Sequence, residues 1–241
     1  MKNTKIKLNN ISVGYLTETV IHGLSTEIAE GEFVGLFGPN GAGKTTLLCA
    51  INGLAQITEG NLYIDNTEFN IFNENKFRRV MGYVPQHFDI DPKIPILAEE
   101  VVSMGRYGKT GLLRFPSTKD KDFITEVCAL LEIQHLLKKP FGQLSGGERK
   151  RVLIARALVK DPEIMLFDEI FAWLDVKMID RVIAIIREIQ TKRRITTLMV
   201  SHDIEIIKTL CTRIIWMEDG KIVFDGDREN FLKKLEVKQW N

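Results

Sequence analysis

The chain has 241 residues, 44% of them hydrophobic and 27% charged, which suits a globular protein of one domain with room for an inserted lobe. Its 33 basic and 32 acidic residues leave a net charge of +1, which excludes the basic footprint of a nucleic-acid binder and an electrostatic hold on an anionic membrane. No apolar run exceeds five residues, whereas a spanning helix needs about 20, so work at a membrane requires recruitment by a partner.

The opening residues Met1-Lys2-Asn3-Thr4-Lys5 lack the apolar stretch of a signal peptide. Alternation at Ile6, Leu8, Ile11 and Val13 predicts a strand, and the turn Glu30-Gly31-Glu32 joins two more strand-like pieces, 26–28 and 33–37. A glycine-rich loop follows, then a helical pattern over 44–52 that contains Cys49. Residues 97–104, 120–133 and 147–159 read as helices; in the middle one Phe123, Val127, Leu130 and Leu131 keep one face apolar. An apolar strand at 164–167 precedes a helix with Ile179, Val182, Ile183, Ile186 and Ile189 on one side, and then a strand at 196–200. That alternation implies a parallel sheet covered by helices. Cys49, Cys128 and Cys211 are far apart, without paired-ligand spacing, and read as reduced, buried thiols of a cytosolic protein. His22, His87 and His135 have no ligand-like spacing either.

Gly38-Pro39-Asn40-Gly41-Ala42-Gly43-Lys44-Thr45, followed by Thr46, fits the phosphate-binding loop in full. The glycines let backbone N–H groups curl around an anion at a helix N-terminus. Lys44 would neutralise β- and γ-phosphates, and the Thr45 hydroxyl would bind Mg²⁺, a hard cation that prefers oxygen. At the end of the strand 164–167 stand Asp168, placed to orient Mg²⁺ and its waters, and Glu169, placed to accept a proton from an attacking water.

Leu144-Ser145-Gly146-Gly147-Glu148 on its own reads as a helix cap, Ser145 opening a capping box with Glu148. Between the two phosphate motifs it resembles the signature of the ATP-binding-cassette (ABC) proteins, and the resemblance covers essentially the whole chain. It implies a phosphate-loop NTPase fold: an α/β, RecA-like catalytic core with an antiparallel β-subdomain over 1–86 and 160–241, and an inserted helical subdomain over 87–159. It also implies that Ser145, Gly146 and Gly147 hold a phosphate bound by a second copy. Tyr15, alone a core or rim residue, matches the aromatic that stacks on adenine. Gln86, otherwise a loop amide, matches the glutamine that reaches the Mg²⁺ site. His202, otherwise a helix-start residue, matches the switch histidine of the γ-phosphate. Asp175 matches the acid that contacts the partner subunit. Two departures stand out: Ile170 follows Glu169 where proline is usual, and Trp173 stands where a small residue is usual.

Cofactors implied are ATP and Mg²⁺, in a homodimer that sandwiches two nucleotides head to tail. A cassette without membrane helices resembles the ATPase of bacterial importers, which works at the cytoplasmic face of the membrane with two transmembrane permease subunits and an extracytoplasmic substrate-binding protein. The stretch 95–108, PILAEEVVSMGRYG, with Phe115-Pro116-Ser117 after it and Phe171-Ala172 after the acid pair, resembles importers of zinc, manganese or iron. Siderophore, haem and cobalamin importers share much of this pattern, and soluble ABC ATPases that act on ribosomes or DNA usually bring tandem cassettes or basic linkers, which are not seen here.

Overall fold

The computed structural model describes residues 3–15, 18–88, 90–91, 94–111 and 116–239, the last three without their side chains. Met1, Lys2 and Phe115 lie outside the described residues.

The chain opens with β1 (Thr4–Tyr15) and β2 (Glu18–Ala29), two long antiparallel strands, followed by β3 (Phe33–Phe37) and α1 (Lys44–Ile51). The predicted piece at 26–28 is thus only the end of β2, because exposed positions dilute the alternation farther back along that strand. Next come β4 (Ile57–Ile64), the short β5 (Thr67–Glu68), α2 (Glu74–Val80) and β6 (Met81–Val84). A helical stretch follows: α3 (Ala98–Met104), α4 (Tyr107–Thr110), α5 (Thr118–Leu130), two single 3₁₀ turns and α6 (Gly146–Leu158). Capped by Ser117, α5 starts at Thr118, two residues before the predicted point, the Ser117 hydroxyl accepting from the Asp120 N–H while the Asp120 carboxylate accepts from Ser117. The chain closes with β7 (Ile164–Asp168), α7 (Val176–Arg193), β8 (Thr196–Val200), α8 (Ile204–Leu210), β9 (Arg213–Glu218), β10 (Lys221–Asp227) and α9 (Arg228–Gln239).

Two sheets result. One is antiparallel in the order β2-β1-β4-β5; the other runs β10-β9-β3-β8-β7-β6, parallel from β9 to β6 with β10 antiparallel at its edge. In the larger sheet successive side chains feed two separate cores. On one face Val34, Leu36, Ile164, Leu166, Leu198, Val200, Ile215 and Met217 pack with α1 and the inner face of the small sheet. On the other, Phe33, Met165, Phe167, Met199, Ile214 and Trp216 pack with apolar residues of α5, α6, α7 and α8. A sheet buried on both faces explains why its strands read as continuous apolar runs. Of the cysteines, Cys128 and Cys211 are buried as expected, but Cys49 is only half-buried, because it sits on the face of α1 that turns toward the Tyr83 hydroxyl, 3.7 Å away.

Candidate active site

The carboxyl ends of β3 and β7 lie with β8 between them, so the glycine loop after β3 and the acid pair ending β7 open on one edge of the sheet. Gly38 has φ 145° and crosses so close to β9 that a Cβ there would sit 2.1 Å from the Met217 carbonyl oxygen. Gly43, at φ 91°, is the N-cap of α1 and supplies no side chain to it, nor does the first turn carry an acid. The first-turn N–H groups are thereby left for an anion. Ala42 is buried and donates its N–H to the Pro39 oxygen at 3.3 Å, closing the loop.

Lys44 is buried and donates to the Gly38 and Pro39 carbonyl oxygens at 2.9 and 2.7 Å. Burial holds its ammonium below the usual lysine range, with the Glu169 and Asp168 carboxylates pulling the other way. The Thr45 hydroxyl donates to Asp168 Oδ1 at 3.1 Å. Asp168 is 1% exposed, and its Oδ2 has no hydrogen-bond partner among the described residues. Burial raises its pKa above the usual carboxylate range, opposed by the Thr45 hydrogen bond. A buried carboxylate oxygen left bare beside a hydroxyl is a donor set for a hard divalent cation, so these residues fit Mg²⁺.

Glu169 has φ 48° and donates its N–H to the Val200 oxygen at 3.1 Å, which turns the chain sharply off β7. Gln86 Nε2 donates to Glu169 Oε2 at 2.5 Å, and His202 Nε2 lies 2.7 Å from Oε1. Both oxygens are therefore steered by neighbours, which fixes the plane of the carboxylate. A cavity of about 400 Å³ is lined by Val20, Asn40, Gly41, Gly43, Lys44, Thr45, Thr46, Gln86 and Glu169. A larger cleft of about 540 Å³, bounded in part by Arg78, Arg79, Met104, Arg156 and Lys160, holds none of this machinery.

Tyr15 ends β1 half-exposed. Asp175 is the N-cap of α7, accepting from the Met178 N–H at 3.0 Å. Ser145 caps α6, accepting from the Glu148 N–H at 3.3 Å while its own N–H donates to Glu148 Oε2 at 2.8 Å. Among the described residues, none of Tyr15, Asp175, Ser145, Gly146 and Gly147 lines the cavity. Two participants were missed in the sequence. Val20 lines the cavity, and Lys150, 4% exposed on α6, donates to the Pro85 and Gln86 carbonyl oxygens, 3.0 Å each. Nothing in the sequence distinguishes Lys150 from its basic neighbours Arg149 and Arg151.

A family model described as ABC transporter matches residues 21–172. A phosphonates import ATP-binding protein of Oceanobacillus iheyensis is 36% identical over 232 residues, 92% of this chain and 90% of its own length. The manganese transport system ATP-binding protein of Bacillus subtilis is 33% identical over 93% of this chain and 87% of its own. The zinc uptake system ATP-binding protein of Listeria monocytogenes is 31% identical over 94% and 87%. Among solved structures, a dimeric bacterial ABC transporter cassette superposes with a TM-score of 0.81 at 30% identity, covering 92% of this chain and 98% of that one. The same cassette in a post-hydrolysis state bound to ADP and phosphate superposes equally well. A glycine loop opening a helix, a carboxylate pair beside it, and relatives along the length of the sequence agree: the chain belongs to the ABC transporter family, as one of its ATP-hydrolysing, ATP-binding subunits.

Proposed function

We propose that the chain hydrolyses ATP with Mg²⁺ as half of a head-to-tail homodimer, at the cytoplasmic face of the membrane, and thereby powers import of a metal ion through two permease subunits served by an extracytoplasmic substrate-binding protein. The observation that carries this reading is that the Lys44 cradle, the Thr45–Asp168 pair and the Gln86–Glu169–His202 cluster meet at one sheet edge, while the Ser145 helix start is not among the described residues that line that cavity. A helix N-terminus flanked by Gly146 and Gly147 attracts phosphate, and a second copy's nucleotide is the phosphate a two-fold pairing would bring. The reading divides the chain into a catalytic core with its β-subdomain, 1–86 and 160–241, and a helical subdomain, 87–159. Among the described residues no helix is long and apolar enough to cross a membrane.

In this mechanism Lys44 exchanges its two carbonyl acceptors for β- and γ-phosphate oxygens. Thr45 and Asp168 would hold Mg²⁺, which when bound neutralises charge on the phosphates. Glu169, oriented by Gln86 and His202, accepts a proton from water as its oxygen attacks the γ-phosphorus; the bond to the bridging oxygen breaks, leaving ADP and inorganic phosphate. Tyr15 at the end of β1 supplies a face for adenine. Closure of the pair excludes water and moves the helical subdomains against the permeases.

Glu169→Gln is expected to lower turnover by about 10²-fold or more while ATP accumulates in a stable dimer, read by phosphate release and sedimentation. Undiminished turnover would remove Glu169 from its role. For the cargo, the manganese and zinc relatives and the stretch 95–108 favour a metal ion. The phosphonate relative, at 36% identity, carries the second reading. Uptake of labelled manganese, zinc and a phosphonate by cells with and without the chain separates the two.

A further inference from the structure

Trp173 belongs to the turn that leads from Glu169 to α7, and three observations set it apart. Its backbone lies in the left-handed region, φ 72°, which bulky side chains avoid. Its side chain is 77% exposed, and Val176, one turn farther, is 76% exposed, so two large apolar groups stand in solvent on one short segment. The residue also lies against the start of α6: a Cβ added to Gly146 would sit 3.3 Å from Trp173 Cβ, and one added to Gly147 would sit 2.8 Å from its carbonyl oxygen. The strained turn thus holds an uncovered indole beside the helix N-terminus that, on the proposed pairing, faces the second copy's nucleotide.

We propose that Trp173 is a closure residue: its indole, with Val176, is covered by a second copy of this chain when ATP draws the pair together, and it seals the rim of that copy's cradle against water. The inference rests on the head-to-tail pairing. Whatever approaches Gly146 and Gly147 closely enough to offer a phosphate must also meet the ring beside them. An indole supplies a large rigid contact at small entropic cost, which suits a seam that forms and opens in each cycle.

The test uses the full chain in the Glu169→Gln background, where ATP is consumed slowly. Acrylamide quenching of tryptophan emission is measured with and without ATP in E169Q and in E169Q/W173F, with the oligomeric state followed by sedimentation. Trp216 and Trp240 are common to both proteins, so the difference between them reports Trp173. If the inference holds, ATP produces a dimer in both variants, and the Trp173 component loses most of its quenching on dimerisation. A dimer whose Trp173 component stays as accessible as before overturns the inference and leaves the pairing intact. Absence of any ATP-dependent dimer overturns the pairing, and the inference with it. W173G adds a readout that a structural role would not move: more ATP is needed to dimerise, although its melting temperature rises on relief of the backbone strain. An unchanged ATP requirement in W173G also overturns the inference.

Discussion

Asp168 pairs one oxygen with Thr45 and leaves the other bare, at 1% exposure. Burial places its folded pKa above the unfolded value, so the folded state binds more protons across that window and the stability cost is fully present above it. Asp168→Asn is therefore expected to raise the melting temperature of the nucleotide-free chain at neutral pH while weakening ATP binding only when Mg²⁺ is present. Titration with a fluorescent nucleotide, with and without EDTA, checks this; equal weakening in both conditions would take Asp168 out of the cation site. Trp173 shows the same opposition between stability and function, since a left-handed bulky residue costs about 1–2 kcal/mol that Gly would not.

At the scale of elements, α6 joins the Ser145 cap to the loop that carries Gln86. Its first turn is closed by Ser145 and Glu148, and one turn on, Lys150 reaches across to the carbonyls that frame Gln86. Gln86 in turn donates to the Glu169 carboxylate. Lys150→Met keeps the apolar stem but drops both contacts, and is expected to lower turnover on the order of 10-fold with ATP binding retained. Turnover that matches the parent would show that the Gln86 loop is held by other means. Just past α6, burial first, then Arg156 and Arg78, pull the Lys160 pKa down to about 8. Between that value and the unfolded one of 10.5 the unfolded chain binds more protons, so Lys160 lowers stability below pH 8 and its cost fades as pH rises through the window. Lys160→Met is expected to be more stable than the parent at pH 7, with the difference shrinking toward pH 10 in urea melts. A difference that is constant with pH would assign the effect to packing alone.

At the scale of the whole molecule, residue order determined what local chemistry decides. The glycine loop between β3 and α1, the acids closing β7 and the capping box of α6 each depend on neighbours a few positions apart, and each was legible. So were β3, β7 and β8, of which β7 is apolar at every position from Ile164 to Phe167, whereas β6 and β9 of the same sheet were not predicted. β4 and β10 were not, since their burial is slight and only pairing with β1 and β9 makes them strands. The structure alone decided that Gln86 and His202 meet on one carboxylate, that Lys150 is buried, and that Trp173 lies against Gly146. Those contacts join positions from 27 to 83 residues apart, such as Gly146 with Trp173 and Gln86 with Glu169, and no period or motif along a chain records a distance closed only by folding.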